Sequence, residues 1–292
     1  MTGGTTRALG RAVPYALILA SVSCFQYGAA LAKPLFAVIG AQGASALRLG
    51  LAALILSAIM RPWRFALTGR VKWLLLGYGA ALAGLNLFFF MAIRTIPLGL
   101  AVALEFSGPL LLAFATSRRP VDLLWAVLAG CGVVLLMPFT GLGASLDPVG
   151  LGWALLSGTC WMLYILLGQK VGVAIPSRVA ATLGVTVAAA VVLPVGIAHA
   201  GTDLLRWDVL PVGLAVAIVS GSLPYVLEMA ALERLPTRVF GILMSLEPAF
   251  GVLFGYLLLG QHLTGWQGAA IAAIMAASAG TAITHKPLPV PQ

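Results

Sequence analysis

Residues 94–109 read RTIPLGLAVALEFSGP, and residues 233–248 read ERLPTRVFGILMSLEP. Pro109 closes the first stretch and Pro248 closes the second, and the other proline of each stretch keeps the same offset of 139 residues. Both stretches are apolar along most of their length and carry a glutamate close to the final proline. Repetition at a fixed offset predicts that the chain is built from two similar halves.

A second match supports the division into halves. Ser21, Cys24 and Phe25 correspond to Ser157, Cys160 and Trp161 at an offset of 136 residues. The two predicted domains are therefore residues 1–143 and 144–292, and the junction falls in the Gly-rich segment 140–147. Chance similarity between two apolar segments is the alternative.

The composition is that of a polytopic membrane protein. Apolar residues make up 61% of the 292 residues and charged residues only 9%, and the mean hydropathy is +1.06. A helix needs about 20 residues to cross about 30 Å of hydrocarbon. The sequence predicts an all-α fold with ten such spans, at 13–38, 42–60, 70–93, 97–116, 121–138, 147–170, 177–198, 208–231, 237–258 and 264–284.

The chain has a net charge of +9, and its basic residues are distributed as in a membrane protein. With the N-terminus inside, the basic residues of the inner segments are Arg7, Arg11, Arg61, Arg64, Arg70, Lys72, Arg118, Arg119, Lys170, Arg178, Arg234, Arg238 and Lys286. The outer segments carry only Lys33, Arg94 and Arg206. Because Lys and Arg accumulate on the cytoplasmic side of inner-membrane proteins, we expect both termini in the cytoplasm of a bacterium and no nucleic-acid partner.

The number of spans decides how the halves are related. Five spans in each half mean that the second half enters the membrane from the opposite side to the first, so the repeats are inverted. Inverted repeats are the architecture of alternating-access transporters, whose substrate sites lie near the membrane midplane between the repeats.

Four ionisable residues fall inside the predicted spans, where charge is unfavourable unless it is paired or hydrated. By helical rise, Glu105 and Glu247 lie about 12 and 15 Å from the ends of their spans, whereas Arg48 and Glu228 are closer to span ends. In one interpretation Arg48 binds the carboxylate of a zwitterion and a glutamate binds its ammonium group. The alternatives are a glutamate that carries a proton and a buried structural ion pair.

Each deep glutamate is accompanied by a proline. Pro109 follows Glu105 by four residues, and Pro248 follows Glu247 directly. A proline inside a helix frees a carbonyl group and bends the helix, and freed polar groups at membrane depth need a partner or a wet cavity. Helix kinks at Pro109 and Pro248 therefore predict a cavity between the halves, with simple packing kinks as the alternative.

Polar and aromatic side chains near mid-span are candidates for the lining of this cavity. The predicted substrate-binding residues, besides Arg48 and Glu105, are Gln26, Tyr27, Asn86, Phe89, Trp161, Tyr164 and Tyr225. Asn86 and Tyr225 occupy equivalent positions at the 139-residue offset, which favours one shared space. Ordinary packing of each aromatic ring in the bundle is the alternative.

No catalytic, metal or cofactor site is predicted. His199, His262 and His285 lie at span ends, the aspartates lie in loops, and the sequence has neither an HExxH motif nor a nucleotide-binding Gly-rich loop. Intramembrane hydrolysis and ATP-driven pumping by this chain are therefore not expected.

Several stretches give the chain a family resemblance. They are SALRL at 45–49, IPLGLAVALEFSGP at 96–109, SRRPVD at 117–122, LPYVLE at 223–228, and LPTR through MSLEP at 235–248. In these stretches the chain resembles the threonine/homoserine exporter group of the drug/metabolite transporter superfamily. It departs from the pattern at Gly260 and Gln261, where many members carry Gly-Glu, so a role for that glutamate is not transferred.

The resemblance implies two EamA-type repeats of five spans, a central cavity, and export of small amino acids from the cytoplasm, with aromatic amino acid exporters as similar relatives. The predicted function is thus a secondary amino acid exporter. Export of another metabolite or drug and a passive channel remain alternatives, as do proton antiport and uncoupled export.

The expected partners are a small-molecule substrate and the lipid bilayer. Gly28 and Ala32, at small-xxx-small spacing, allow helices to approach closely. This spacing is compatible with a monomer and with a homodimer.

Overall fold

The computed structural model describes residues 3–65, 67–116, 120–136, 146–232, 235 and 237–284. In the first half, the α-helices are α1 (Gly3–Ala32), α2 (Phe36–Met60), α3 (Gly69–Thr95), α4 (Leu98–Glu105), α5 (Ser107–Thr116) and α6 (Pro120–Leu135). In the second half, they are α7 (Pro148–Ala174), α8 (Ser177–Ala200), α9 (Val209–Val216), α10 (Leu223–Leu232), α11 (Thr237–Met244), α12 (Glu247–Leu259) and α13 (Gly265–Thr284). Short 3-10 turns occupy Lys33–Leu35, Pro62–Arg64 and Gly201–Leu205. The described residues contain no strand, which confirms the all-α class.

Several helical segments are long and apolar enough to cross a membrane. Within the described ranges these are Val13–Met60, Gly69–Thr95, Pro148–Ala174, Ser177–Leu205, Val209–Glu228, Val239–Leu259 and Gly265–Thr284. Within the first of them, Lys33–Leu35 continue the helical path as a 3-10 segment, and the chain breaks from the helix at Gly40, whose φ of 67° is readily adopted only by glycine. Leu98–Leu112 and Leu123–Leu135 are shorter apolar helices. Arg118, Arg119, Arg234, His285, Lys286 and most of the predicted junction 140–147 lie outside the described residues.

Two predicted spans are broken at related places. The fourth is divided between α4, which ends at Glu105, and α5, and the ninth between α11, which ends at Met244, and α12. Each first helix ends four residues before a proline, Pro109 or Pro248. A proline has no N–H to donate to the carbonyl four residues earlier, and its ring collides with that carbonyl. The helical ladder therefore stops at these two positions.

The eighth predicted span is also irregular, a feature that the sequence prediction missed. Between α9 and α10, residues Ala217–Ser222 form a π-helical turn. Pro224 follows it and cannot donate to the Ser220 carbonyl at α-helical spacing. That carbonyl instead accepts a hydrogen bond from Arg48 Nη2 at 2.9 Å. The irregular turn thus supplies a backbone acceptor for a buried cation.

Helix pairing places α4 at the centre of the bundle. All eight residues of α4 are buried, and the helix lies against α12 and α7. Around it, α3 packs along α7 and α8, α2 along α8, α6 along α13, and α1 against α10 and α12. Most contacts join helices of the first half to helices of the second.

Loop residues fix two helix starts. Asp147 caps α7 by accepting from the backbone N–H groups of Val149 and Gly150, each at 3.1 Å. A hydrogen bond from Thr95 and these two backbone bonds hold the pKa of the Asp147 carboxyl below its ordinary value. Gln261 Oε1 accepts from Leu98 N at 2.9 Å and so satisfies a free N–H in the first turn of α4. An amide is therefore sufficient at the position where the chain departs from the family pattern.

Candidate functional site

A cavity of about 690 Å³ opens between the two halves. In the first half, α1 contributes Phe25 and Gln26, α2 contributes Arg48, α3 contributes Leu82, Leu85, Asn86 and Phe89, and the α4–α5 segment contributes Glu105, Phe106, Pro109 and Leu110. In the second half, the lining consists of Trp161, Tyr164 and Ile165 of α7, Tyr225 and Glu228 of α10, Phe240, Gly241 and Met244 of α11, Glu247 of α12, and Ser278, Thr281 and Ala282 of α13.

Arg48 is the cation of this cavity wall. Its side chain is only 6% exposed. Nη2 donates to the Ser220 carbonyl, and the guanidinium lies 5.4 Å from the centre of the Phe90 ring, within cation–π range. Nε has no hydrogen-bond partner among the described residues. No carboxylate in the described ranges lies within ion-pair distance of Arg48.

Glu105 is positioned by the break after α4. The carboxyl is buried, and Ser157 Oγ of α7 donates to its Oε1. Ser157 Oγ also lies 2.7 Å from the Leu85 carbonyl of α3. One buried hydroxyl therefore ties the glutamate to two other helices around the cavity.

Glu228 has a comparable partner. Ser21 Oγ of α1 lies 2.9 Å from Glu228 Oε1 and 3.2 Å from the Pro224 carbonyl. Ser21 and Ser157 are the residues that the sequence repeat matched to each other. Their hydrogen bonding to cavity glutamates was not predicted, although their place in the repeat was a usable signal.

Glu247 has a weaker partner. Gln26 Nε2 of α1 donates to Glu247 Oε1 at 3.4 Å. Within the described part of the chain, Glu247 Oε2 and Gln26 Oε1 have no hydrogen-bond partner. Both side chains are strongly buried, at 8% and 4% exposure.

Aromatic rings form much of the remaining wall. Phe106 meets Trp161 edge to face at 4.8 Å between centroids, and Phe25 meets Tyr225 in the same way at 5.6 Å. Tyr164 stacks on Tyr78 at 4.7 Å and accepts a hydrogen bond of 3.0 Å from the Tyr78 hydroxyl. The cavity thus combines a few charged groups with a largely apolar, aromatic surface, which is typical of small-molecule sites.

The structure places most of the predicted side chains at this cavity. The predicted residues that line it are Gln26, Arg48, Asn86, Phe89, Glu105, Pro109, Trp161, Tyr164, Tyr225, Glu228 and Glu247. Their proposed roles remain predictions.

Tyr27 and Pro248 are not among the lining residues. Tyr27 is 39% exposed and packs edge to face on Phe254 at 5.8 Å. Successive residues of a helix point about 100° apart, so with Gln26 facing the cavity, Tyr27 faces elsewhere. Pro248 is buried and acts on the backbone instead.

Sequence reasoning missed the contribution of α13. Ser278 and Thr281 of this helix face the cavity, but their small polar side chains resemble ordinary packing residues. No group of three or more His, Cys, Asp or Glu side chains in the described ranges is arranged to hold a metal ion.

Comparisons with known proteins agree with this architecture. The EamA-like transporter family model matches residues 148–283. The chain is 48% identical over 282 residues to the threonine/homoserine exporter RhtA of Salmonella typhimurium, covering 96% of this chain and 95% of that protein. It is 47% identical over 282 residues to the threonine/homoserine exporter RhtA of Escherichia coli, with the same coverage.

A solved structure described only as a crystal structure of a protein aligns with a TM-score of 0.58. It is 19% identical in sequence, and the alignment covers 92% of this chain and 96% of that chain. At this identity the likeness shows a shared fold.

Proposed function

The chain belongs to the EamA-like transporter family of the drug/metabolite transporter superfamily, and on that basis we propose that it exports amino acids of the threonine and homoserine kind from the bacterial cytoplasm. It is a multi-pass membrane transporter and not an enzyme. The observation that carries the proposal is a cavity whose wall presents one guanidinium group and three carboxyl groups, the charges that a zwitterion can pair with.

The proposed topology has ten crossings of the inner membrane and cytoplasmic termini. The segments identified by length and hydropathy, with the break inside Val13–Met60 and the shorter helices Leu98–Leu112 and Leu123–Leu135, are sufficient for ten. In this proposal α4 with α5 makes the fourth crossing and α11 with α12 the ninth.

The packing of the helices supports an inverted repeat of residues 1–143 and 144–292. With α1 corresponding to α7 and α3 to α10, the α1–α10 contact corresponds to the α7–α3 contact. The pairs α2–α8 and α6–α13 each join corresponding helices directly, and α4–α12 joins parts of the corresponding fourth and ninth spans. This is the pattern expected of two halves related by a twofold axis. We propose that the halves rock about this axis and open the cavity to each side of the membrane in turn.

Arg48 is the proposed binding group for the substrate carboxylate. Its unpartnered Nε is a buried donor, and arginine is suited to hold a carboxylate because its donors are fixed in a planar fork. The bond to the Ser220 carbonyl and the Phe90 ring hold the guanidinium in place and leave it without a competing carboxylate contact.

Aromatic amino acids are a second candidate substrate class. The volume of about 690 Å³ lies within the range of about 300–1,000 Å³ of pockets that hold drug-sized ligands. It is lined by Phe25, Phe89, Phe106 and Trp161 among others. This surface favours a binding site with room for a larger side chain than that of threonine.

Counterflow into proteoliposomes tests the proposal. We expect purified protein to take up labelled threonine when the lumen is loaded with unlabelled threonine or homoserine, with saturation and competition between them. Competition by phenylalanine would support the wider substrate range. Flux that does not saturate would indicate a channel, and absence of flux for every amino acid from well-folded protein would refute the exporter assignment.

Arg48→Gln tests the carboxylate site in the same assay. Loss of a charge-assisted hydrogen bond corresponds to about a 10- to 100-fold rise in the KM for threonine. Arg206→Gln is the matched control because Arg206 is exposed and pairs with Asp208 at 2.8 Å in a loop. Equal kinetics in Arg48→Gln and in the wild type would exclude Arg48 as the carboxylate site.

A further inference from the structure

We propose that Gln26 and Glu247 form the binding site for the ammonium group of the transported amino acid. The inference rests on the proposed function, because it assigns the chemistry of one part of the same cavity. Neither residue is needed to explain how the cavity is built.

The geometry of the pair leaves two acceptors together. Gln26 Nε2 donates to Glu247 Oε1 at 3.4 Å, which orients both side chains. Gln26 Oε1 and Glu247 Oε2 are then buried acceptors with no partner among the described residues, and both side chains line the cavity. A primary ammonium group carries three N–H donors and no acceptor. It complements this pair, whereas a carboxylate or a hydroxyl acceptor does not.

In the described part of the chain, Glu247 has no serine hydroxyl as a hydrogen-bond donor, unlike the other two cavity glutamates. Glu105 has Ser157 as a donor and Glu228 has Ser21. No Lys, Arg or His side chain of the described residues lies within ion-pair distance of Glu247. The Glu247 carboxyl therefore has neither a hydroxyl donor nor a resident cation among the described residues.

The backbone places Glu247 at the start of a helix. The break after α11 makes Glu247 the first residue of α12, a helix of 13 residues. Because the helix dipole favours negative charge in the first turn, this position is compatible with an ion pair between the Glu247 carboxylate and a bound ammonium group.

Arg48, elsewhere in the cavity lining, offers a hydrogen-bond donor where Gln26 and Glu247 offer acceptors. Arg48 presents a buried donor, Nε, without a partner in the described ranges. The lining thus carries unpartnered acceptors at one place and an unpartnered cationic donor at another. An α-amino acid supplies the complement of both, a carboxylate and an ammonium group on the same carbon.

Removal of one charged group from the ligand tests the assignment. Equilibrium binding of threonine and of 2,3-dihydroxybutyrate, in which a hydroxyl replaces the ammonium group, is measured on purified wild type, Glu247→Gln and Gln26→Met. The preference, defined as the ratio of the two Kd values, is the readout. Asp203→Asn is the control because it removes a carboxyl from the exposed Gly201–Leu205 turn, which does not line the cavity. Monodispersity and Tm are recorded for every variant.

We expect the wild type to prefer threonine by about 10- to 100-fold, the range of one charge-assisted hydrogen bond. In Glu247→Gln this preference should fall to about one, with the affinity for 2,3-dihydroxybutyrate changed by less than about threefold. Gln26→Met should reduce the preference by a smaller factor, and Asp203→Asn should retain it.

An unchanged preference in folded Glu247→Gln would overturn the assignment, and so would an equal loss of affinity for both ligands, which indicates a structural role. A variant that keeps its preference but loses the pH dependence of transport would assign Glu247 to proton transfer and also overturn it. A wild type that binds neither ligand would refute the proposed function itself, and this result is distinct from the others.

Discussion

At the scale of single residues, two serines organise the acidic side of the cavity. Ser157 Oγ contacts the Leu85 carbonyl and the Glu105 carboxyl, and Ser21 Oγ contacts the Pro224 carbonyl and the Glu228 carboxyl. A hydroxyl has one hydrogen to donate and can also accept. Each serine hydroxyl therefore holds its glutamate beside a backbone carbonyl and fixes the carboxyl at the cavity wall.

Ser157→Ala is expected to lower stability. The substitution leaves the buried Glu105 carboxyl and the Leu85 carbonyl without their shared partner, which costs about 1–3 kcal/mol. Thermal unfolding in detergent measures the effect. Thr159→Ala is the control on the same helix, because Thr159 is exposed and its hydroxyl bonds to the Leu155 carbonyl of its own helix. Equal Tm values for the two variants would show that the Ser157 contacts do not stabilise the fold.

At the scale of helices, prolines end α4 and α11, and glycines allow the broken segment of α4 and α5 to approach α7. A Cβ on Gly158 would lie 2.6 Å from the Glu105 carbonyl oxygen, the carbonyl that Pro109 cannot bond. A Cβ on Gly108 would collide with the Gly158 carbonyl. The break and the close crossing thus occur at one place, beside a cavity glutamate.

Gly158→Ala is expected to displace the α4–α5 break. The methyl group meets backbone that cannot rotate away, so overpacking of about 1–3 kcal/mol is expected, together with reduced threonine flux. Gly152→Ala is the control on the same helix. Its Cβ would meet nothing within 4 Å, and alanine is the better helix former by up to about 1 kcal/mol. We expect Tm and threonine counterflow to fall in Gly158→Ala and to be unchanged in Gly152→Ala. The same Tm in both variants would contradict a close crossing of the α4–α5 segment with α7.

At the scale of the whole molecule, the two halves place different chemistry at matching positions. Four pairs related by the sequence repeat line the cavity, namely Phe25 with Trp161, Asn86 with Tyr225, Phe89 with Glu228, and Glu105 with Met244. In three of them a polar or acidic side chain in one half corresponds to an aromatic or apolar one in the other. The proposed repeat therefore supplies a symmetric framework, and substitution within it makes the cavity asymmetric.

The proposed orientation of the molecule in the membrane rests on its basic loops. After replacement of Cys24, Cys131 and Cys160 by alanine, Thr68→Cys lies in a loop beside Arg64 and Arg70, and Thr202→Cys lies in the exposed Gly201–Leu205 turn. By the positive-inside rule, we expect a membrane-impermeant maleimide to label Thr202→Cys in intact spheroplasts, and to label Thr68→Cys only after lysis. The reverse result would invert the proposed topology.

The sequence by itself determined the helical class, the positions of the apolar segments, the two prolines at which helices break, and about half of the side chains that line the cavity. These features are local: hydropathy sets where helices lie, and proline removes a backbone donor wherever it occurs. The sequence repeat also matched Ser21 to Ser157, but it did not predict that their hydroxyl groups contact Glu228 and Glu105.

Only the tertiary structure decided which face of each helix looks inward. In a bundle that is apolar inside and out, hydropathy does not distinguish a lipid-facing surface from a cavity-facing one. The orientation of Gln26 toward the cavity and of Tyr27 away from it, the contribution of Ser278 and Thr281, and the pairing of Arg48 with a carbonyl instead of a carboxylate all depend on contacts between helices far apart in the chain. Such contacts are set by packing between segments, which no local pattern encodes.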